Sequence, residues 1–241
     1  MQTKKSKLLI DIGLSLKELK SRLELINTVP EDIDAVIVSH EHTDHIRGVG
    51  AFSRRYGTNI YINYPTLKKA AYQIKKIKNI HEFDSAEKFV INDVTITPFS
   101  VSHDAADPVG FTIETDGRKI GIATDLGVAT NLVKTNLIGC DLLIIESNHD
   151  REMMMNGPYP WFLKQRIRSR HGHLSNNDAL ELISEVICEK TKHVMLAHLS
   201  ETNNNEEKVC NNVIDLYKKR VNNNVEFMIT SQESPAALIE I

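Results

Sequence analysis

Four apolar runs of the sequence end at a histidine or an aspartate, and this pattern limits the fold more than any other feature. AVIVS leads into His40, TITPFSVSH ends at His103, KIGIATD at Asp125 and HVMLAH at His198. Short continuous apolar runs are typical of strands that are buried on both faces. In α/β folds, ligands converge at the carboxyl ends of such strands. We therefore expect these four side chains to serve one site.

Strand and helix patterns alternate around these runs. A strand over Lys7–Gly13 precedes a helical pattern that begins at Ser15, and PTLKKAAYQIKKI predicts a helix with Pro65 in its first turn. SNNDALELISEVICEK predicts another helix, capped by Ser175. The middle of the chain, residues 88–125, predicts consecutive antiparallel strands with a tight turn at Asp116-Gly117. The sequence therefore predicts an α/β (α+β four-layer) fold in a single domain over residues 1–241.

The stretch SHEHTDH places three histidines and an aspartate in the six positions from His40 to His45. In extended backbone, residues two apart point the same way, so His40 and His42 can face one ion. Asp44 and His45 follow where we expect the chain to turn into a helix near Ile46, which would bring them to a second ion. Without a metal, four such side chains packed together would leave poorly satisfied polar groups. A metal site is the favoured interpretation, and a solvated polar loop is the alternative.

The order of these residues resembles the metallo-β-lactamase superfamily over essentially the whole chain, with Asp11 ahead of the histidine motif. GIATDLG, LLIIESNHD, GHLSN and AHLSETNN are similar to stretches of the YycJ-type (WalJ-type) phosphodiesterases. The resemblance implies an αβ/βα sandwich and a binuclear centre with a bridging water or hydroxide. It implies one ion held by His40, His42 and His103, a second held by Asp44, His45 and His198, and Asp125 between them. Asp11 would orient the histidine loop.

The resemblance also implies that the chain cleaves phosphodiester bonds with two divalent ions as cofactors. Among such activities, that of a DNA exonuclease is favoured. A nitrogen and oxygen ligand shell suits zinc and manganese about equally. Asp44 and His173 are the expected catalytic residues, with His173 contacting phosphate or donating a proton to the leaving oxygen. His149 would line the same cleft, and Glu146 would orient one of these histidines.

The stretch KQRIRSRHGH offers a cluster of cations that could contact backbone phosphates, namely Lys164, Arg166, Arg168, Arg170 and His171. The alternative is a solvated helix face. Beside it, MMMNGPYPWF contains the only tryptophan of the chain, Trp161. Its aromatic residues could form a flap that stacks on bases, although ordinary helix packing is the favoured interpretation. We place His81 in a loop and His193 at the start of a strand, with no role in the site.

Other functions stay open at this point: hydrolysis of an acyl, thioester or lactone substrate, RNA processing like that of tRNase Z, and a scaffold stabilised by metal. Only 198 − 125 = 73 positions separate Asp125 from His198, which leaves no room for the inserted domain of β-CASP nucleases. The chain also lacks an obvious Gly/Pro-rich arm of the kind that tRNase Z uses. A compact nuclease acting on nucleic acid is therefore favoured over a tRNA processor, with oligomeric state left open.

The composition limits the partners and the cellular location that we expect for the protein. The formal net charge of −3 argues against a passive nucleic-acid coat but not against a local phosphate-binding patch. Three cysteines without a Cys-x-x-Cys motif, and no apolar run near ~20 residues, favour a cytoplasmic protein with no membrane partner.

YycJ-type proteins usually carry a further strand ahead of LLIDxG. We therefore expect either a late start at Met1 or a fold without its first edge strand.

Overall fold

The computed structural model describes residues 1–221 and 224–241, and within them the alternation of strands and helices is confirmed. The chain forms two compact units. Unit 1 comprises residues 1–98 and 105–109, and unit 2 comprises residues 99–104 and 110–241. That all 241 residues act as one domain stays a prediction.

Unit 1 contains a parallel four-stranded sheet with the order β1-β2-β3-β4. Its strands are β1 (Leu8–Ile10), β2 (Ala35–Ile37), β3 (Asn59–Asn63) and β4 (Ile80–Phe83). Its helices are α1 (Leu16–Leu25), α2 (Thr43–Ile46), α3 (Val49–Tyr56) and α4 (Tyr64–Ile74). Further on, β5 (Phe89–Ile91) pairs antiparallel with β6 (Val94–Ser100).

The strands of this sheet form where the sequence is most apolar. Each residue of β2 is fully buried, which agrees with the continuous apolar run. Val36, Ile60 and Phe52 belong to one core cluster, so α3 packs on the strands through its apolar face. Local signals set the helix ends, since the side chain of Ser15 caps α1 and that of Asn63 caps α4. The predicted strand and the Ser15 cap are therefore confirmed, whereas the Asn63 cap was not predicted.

Two expectations for unit 1 are corrected. The helix expected near Ile46 already begins at Thr43, because His42 serves as its N-cap residue, so Asp44 and His45 lie inside α2. His81 lies in strand β4, where it pairs with Tyr61 of β3, and the two rings stack with centroids 4.7 Å apart. A single polar edge strand carries too little periodic signal to be recognised from sequence.

The edge strand β1 is paired on its outer side as well as with β2. The backbone of Leu8 donates to the carbonyl oxygen of Met1 at 2.9 Å and accepts from the Met1 amine at 2.9 Å. Gln2 and Lys7 form an isolated antiparallel bridge. The first residues therefore cover part of the outer edge of β1.

In unit 2 the sheet has the order β11-β10-β9-β8-β7, with β7 and β8 antiparallel and the other pairs parallel. The strands are β7 (Val109–Thr115), β8 (Arg118–Ala123), β9 (Leu142–Glu146), β10 (His193–Ala197) and β11 (Glu226–Ile229). The helices are α5 (Asn131–Leu137), α6 (Arg151–Asn156), α7 (Trp161–Ile167), α8 (Asn176–Val186), α9 (Glu206–Val209) and α10 (Asp215–Arg220), with a π-helical segment at Cys210–Ile214.

The sequence signals for unit 2 are largely confirmed. Asp116 and Gly117 adopt φ angles of 49° and 74°, as a two-residue hairpin turn requires. Ser175 and Asp178 form the reciprocal cap of α8. Helix α5 has no counterpart among our predictions, because seven residues give less than two turns of periodicity. In the part of the chain that the structure describes, no helix has both the length and the apolar character needed to cross a bilayer.

The first prediction concerns Gly13, which follows β1 and lies against the backbone of α2. A Cβ atom at this position would lie 1.7 Å from the carbonyl oxygen of Asp44. We expect Gly13→Ala to lower the free energy of unfolding by about 3 kcal/mol, measured by urea denaturation.

The control is Gly57→Ala, where an added Cβ meets nothing within 4 Å but φ is +72°. That variant should lose only about 1 kcal/mol, the cost of a left-handed alanine. Equal losses in the two variants would contradict the close approach of the Gly13 loop to α2.

Candidate metal centre

The histidine loop of unit 1 brings three imidazole rings together. The ring of His40 lies 4.7 Å from that of His42 and 4.1 Å from that of His45, measured between centroids. His40 and His45 are buried, whereas the side chain of Asp44 is 68% exposed. The short helix α2 causes this arrangement, because it folds Asp44 and His45 back beside the extended segment that carries His40 and His42.

Asp11 and Ser39 orient two of these rings. One carboxylate oxygen of Asp11, Oδ1, accepts from the backbone N–H of Ser39 at 2.8 Å. The other, Oδ2, accepts from the Ser39 hydroxyl at 2.6 Å and lies 2.8 Å from Nδ1 of His45. The Ser39 hydroxyl is also 3.0 Å from Nδ1 of His40. Both rings therefore use Nδ1 for hydrogen bonding, so Nε2 is the nitrogen that would bind a metal ion.

In unit 2 a second group of ligand-type side chains converges at the ends of strands β8, β9 and β10. One ligand atom from each of four residues lies within 4.8 Å of the others, and the four are Asp125, Glu146, His173 and His198. Nε2 of His198 is 3.3 Å from Oδ1 of Asp125. Nε2 of His103 is 3.9 Å from the same oxygen, and Nδ1 of His103 lies 3.1 Å from the carbonyl oxygen of Gly172.

Glu146 is the fully buried centre of this second group. Its Oε1 atom lies 2.7 Å from Nδ1 of His173 and 2.8 Å from Nδ1 of His198. Its Oε2 atom accepts the backbone N–H groups of Leu126 at 3.1 Å and Leu174 at 3.2 Å. Sequence reasoning assigned Glu146 to one histidine, whereas the structure places it against two.

The charges of this group support one another. Burial favours the neutral form of Glu146, but His173 and His198 outweigh burial and lower the pKa of the carboxyl group. For His173, burial acts to lower the pKa, yet the carboxylate of Glu146 raises it above the ordinary histidine value. Burial lowers the pKa of His103. An ionised Glu146 is therefore paired with a protonatable His173.

Three residues of the two groups adopt a left-handed backbone conformation. The φ angles are 60° at Asp11, 57° at Asp125 and 57° at His198, and each residue directly follows a strand or lies just beyond one. Non-glycine residues rarely adopt this conformation, which costs of order 1–3 kcal/mol each. Such strain at three ligand-type positions is typical of a functional site rather than of a structural strand end.

The side chains in each unit fit divalent metal ions. Four buried or partly buried histidines have Nδ1 within hydrogen-bond distance of an oxygen, namely His40, His45, His103 and His198. This is the second contact that metal-ligating imidazoles usually make. Thiolate ligands are not required, and burial raises the pKa of the Cys140 thiol to about 11, which keeps it protonated.

Comparison with known proteins agrees with this geometry. Residues 6–199 match the family described as the beta-lactamase superfamily domain. The chain is 39% identical to the exodeoxyribonuclease WalJ of Streptococcus pneumoniae serotype 2 (strain D39), over 86% of this chain and 78% of that protein. It is 37% identical to the exodeoxyribonuclease YycJ of Bacillus anthracis, over 85% and 78%. The chain belongs to the metallo-β-lactamase superfamily. Within it, the chain belongs to the WalJ/YycJ-type family.

A solved structure supports the fold. The metallo-β-lactamase fold protein YhfI from Bacillus subtilis matches with a TM-score of 0.73 and 20% identity, covering 95% of this chain and 86% of that one. The predicted αβ/βα sandwich of the metallo-β-lactamase fold is therefore confirmed. At this identity the match concerns the fold alone.

The stretches that resembled the WalJ/YycJ-type family include a buried polar network. The Ser147 hydroxyl donates to Oδ1 of Asn176 at 2.8 Å, and Nδ2 of Asn204 donates to the same oxygen at 2.8 Å. Nδ2 of Asn204 also lies 2.8 Å from the carbonyl oxygen of Ser147. These contacts join the loops after β9 and β10 to the start of α8, so they fix the backbone that follows Glu146 and His198.

A cleft of about 350 Å³ in unit 2 is lined by His173 and His198. Arg166, Tyr159 and Gln232 also line it. Gln232 was not recognised from the sequence, since an isolated glutamine near the end of a chain carries no pattern. His149, which we expected to line the cleft, is only 2% exposed, and burial lowers its pKa to about 4. Its neighbour Asn148 lines the cleft instead.

The expected phosphate-binding cations do not form one cluster. Lys164 is buried, and its ammonium group donates to the carbonyl oxygens of Met155 at 2.7 Å and Gly157 at 2.8 Å. Its ammonium group is therefore not placed to contact a phosphate, which corrects the prediction for Lys164. Nε of Arg166 donates to Asp104 at 2.5 Å, and Arg168 contacts the sulfur of Met155 at 3.0 Å.

Arg170 and His171 are exposed, and their contacts to the rest of unit 2 are made by the backbone. The carbonyl oxygen of Arg170 accepts from the Ser102 hydroxyl at 2.8 Å, and that of His171 accepts from the Asp104 N–H at 3.1 Å. Both side chains therefore stay available for the predicted phosphate contacts.

The second prediction is that Asp11→Asn weakens metal binding. Asparagine tolerates the left-handed backbone. Its amide oxygen would keep the Ser39 N–H, which places the amide N–H₂ at Nδ1 of His45. His45 must then accept at Nδ1 and carry its proton on Nε2, so Nε2 is lost as a ligand. We expect metal affinity to fall by about 10–100-fold, measured by elemental analysis after dialysis against graded chelator buffers.

Asp34→Asn is the matched control, because Asp34 also accepts a backbone N–H, that of Lys7 at 2.7 Å, in the same unit. Its metal affinity should be unchanged. Equal affinities in both variants would contradict the role of Asp11 in selecting the His45 tautomer.

Proposed function

We propose that this chain is a metal-dependent phosphodiesterase that degrades DNA as an exonuclease. The observation that carries the proposal is that four histidines present Nε2 while an oxygen occupies Nδ1. The span that matches the superfamily, residues 6–199, contains all seven proposed ligands. The likeness to two exodeoxyribonucleases over more than four fifths of the chain supports DNA as the substrate.

The proposed ligands divide into two sets and one shared residue. His40, His42 and His103 would hold one divalent ion, Asp44, His45 and His198 the other, and Asp125 both. Two such ions, zinc or manganese, would supply a nucleophile near neutral pH and neutralise charge on the phosphoryl oxygens. The donor atoms are nitrogens and oxygens throughout, which suits either metal.

The remaining residues handle protons and position the substrate. The exposed carboxylate of Asp44 would accept a hydrogen bond from the attacking water. Glu146 fixes the His173 ring through Nδ1 and favours its protonated form, so His173 can donate a proton to the leaving oxygen of the phosphodiester. Burial of Glu146 strengthens this pairing, because competing water is excluded.

The cleft in unit 2 supports cleavage at the end of a DNA strand. Its volume of about 350 Å³ lies in the range of roughly 300–1,000 Å³ that is typical of small-molecule sites, and a terminal nucleotide is a group of this kind. Arg166 lies at the cleft wall, where its guanidinium can contact a phosphate.

The cysteines, which the structure shows as free thiols, support the further proposal that the protein acts in the cytoplasm.

The third prediction tests the reaction directly. The metal-loaded protein, incubated with end-labelled linear duplex DNA, should release labelled mononucleotides, and closed circular DNA should stay intact. His45→Ala should abolish release, because a proposed ligand is removed, whereas the exposed surface variant His81→Ala should retain it. Cleavage of the circle would contradict exonuclease action, and no metal-dependent cleavage of any nucleic acid would contradict the proposed function.

The fourth prediction concerns His173 as proton donor. His173→Gln should lower kcat for DNA by about 10²–10⁴-fold, the usual contribution of a general acid, with metal content unchanged. Hydrolysis of bis-p-nitrophenyl phosphate should fall much less, because nitrophenolate leaves without a proton. The exposed variant His81→Gln, which lies outside the cleft, serves as the control and should behave as the unsubstituted protein in both assays. Equal losses on the two substrates would assign His173 to another role.

A further inference from the structure

Residues 45–81 of unit 1 contain many cations and no carboxylate side chain. The whole chain has 29 Lys and Arg against 32 Asp and Glu, yet eight of the cations and none of the acids lie in this stretch. The eight are Arg47, Arg54, Arg55, Lys68, Lys69, Lys75, Lys76 and Lys78. All eight are exposed, and we call them the basic face. A local excess of this size is independent of the metal ligands and of the cleft in unit 2.

Packing of α3 against α4 brings part of the basic face together. Nη1 of Arg54 donates to the carbonyl oxygen of Ile74 at 2.6 Å, and a Cβ on Gly50 would lie 2.0 Å from that oxygen. The carboxyl end of α4 therefore packs against the first turn of α3, and the side chain of Arg54 reaches the residue that precedes Lys75. Lys68 and Lys69 lie about two turns earlier on α4.

The charges of the basic face are not neutralised within the protein. In residues 1–221 and 224–241, none of its members forms an ion pair with a carboxylate. In unit 2, by contrast, Lys134 pairs with Glu185 at 2.7 Å and Arg220 with Glu181 at 2.9 Å. Exposed cations without counter-charges repel one another. Binding of a polyanion would relieve this repulsion.

Helix stability explains only part of this pattern. Cations near a helix carboxyl end interact favourably with its dipole, and this accounts for Arg54 and Arg55 on α3. Lys68 and Lys69 lie in the middle of α4, where the dipole gives them no such advantage. Lys75 adopts a left-handed φ of 58° at the end of α4, a position that glycine usually fills at lower cost.

We propose that the basic face binds the phosphate backbone of the nucleic-acid substrate, away from the residues that cleave it. This inference rests on the proposed function only in taking nucleic acid as the polyanion. Helix α2, which carries Asp44 and His45, packs near α4, so the elements that carry the basic face adjoin the histidine loop within unit 1. Tyr72, 95% exposed on α4 between Lys69 and Lys75, offers a ring for stacking on a base.

Nucleic acid fits this surface better than an anionic membrane does. Surfaces that bind membranes combine cations with large apolar side chains that enter the bilayer. Within residues 45–81, all of which the structure describes, the only exposed large hydrophobic side chains are Tyr64 and Tyr72. The phosphates of nucleic acid match the separate exposed lysines of this surface, which carries no large aliphatic side chain that would enter a bilayer.

The test compares two triple variants of the full chain. Lys68→Gln, Lys69→Gln and Lys76→Gln remove three charges from the basic face. Lys17→Gln, Lys218→Gln and Lys219→Gln remove three exposed lysines of α1 and α10, none of which forms an ion pair in the described part of the chain. Both variants change the net charge equally, so any difference between them reports position rather than total charge.

Binding is measured by fluorescence anisotropy with a 30-base-pair duplex, in chelator to prevent cleavage, over a series of salt concentrations. We expect the basic-face variant to bind about tenfold more weakly at moderate salt, and the slope of log affinity against log salt to fall by about two to three, because each lost phosphate contact removes close to one counterion. The control should bind as the unsubstituted protein does. Equal binding by both variants overturns the proposal, as does lysine-dependent binding to phosphatidylserine vesicles without binding to DNA.

Turnover separates this proposal from the proposed function. The metal-loaded basic-face variant should hydrolyse bis-p-nitrophenyl phosphate at the unsubstituted rate, while its KM for long DNA rises and kcat is kept. A protein that binds duplex through the basic face but cleaves nothing would contradict the nuclease proposal and still support the basic face. A kcat lowered on both substrates would instead place these lysines in the catalytic machinery and overturn the inference.

Discussion

In each unit, the group of candidate metal ligands depends on hydrogen bonds between a carboxylate and the Nδ1 atoms of histidines. Asp11 holds His45 in unit 1, and Glu146 holds His173 and His198 in unit 2. Burying a carboxylate is costly unless its lone pairs are filled. Glu146 meets four donors, and hydrogen bonds to a charged group contribute about 1.5–3 kcal/mol each. The buried charge is therefore tolerated, and it determines which nitrogen each ring presents.

Backbone strain at the strand ends follows from the same requirement. A strand that ran straight on would send successive side chains to opposite faces of the sheet. The left-handed residues Asp11, Asp125 and His198 break that alternation and turn the chain sharply at the carboxyl edge. Each such position costs of order 1–3 kcal/mol, which the surrounding core must offset. Strain of this kind persists where function needs the geometry, so it supports the site independently of residue identity.

The sequence predicted those features that local rules determine. Strand β2 and the caps of α1 and α8 follow from apolar runs and from Ser15 and Ser175, and all were confirmed. The ligand candidates were recognised because strand ends and ligand-type residues coincide. Lys164 shows the limit, since only tertiary packing decides that its ammonium caps two carbonyl oxygens instead of facing solvent. The double role of Glu146 was likewise hidden, because it depends on two loops 27 and 52 positions away.

Net charge and local charge lead to different conclusions about partners in this chain. A total of −3 gives no long-range attraction for a polyanion. At physiological salt, however, the Debye length is about 8 Å, so a phosphate senses only the side chains near it. On that scale the basic face is uniformly positive, and acids elsewhere are screened. Acidic residues outside residues 45–81 repel nucleic acid that approaches the rest of the surface. In the proposed mode of binding, nucleic acid therefore contacts the basic face and does not cover the whole protein.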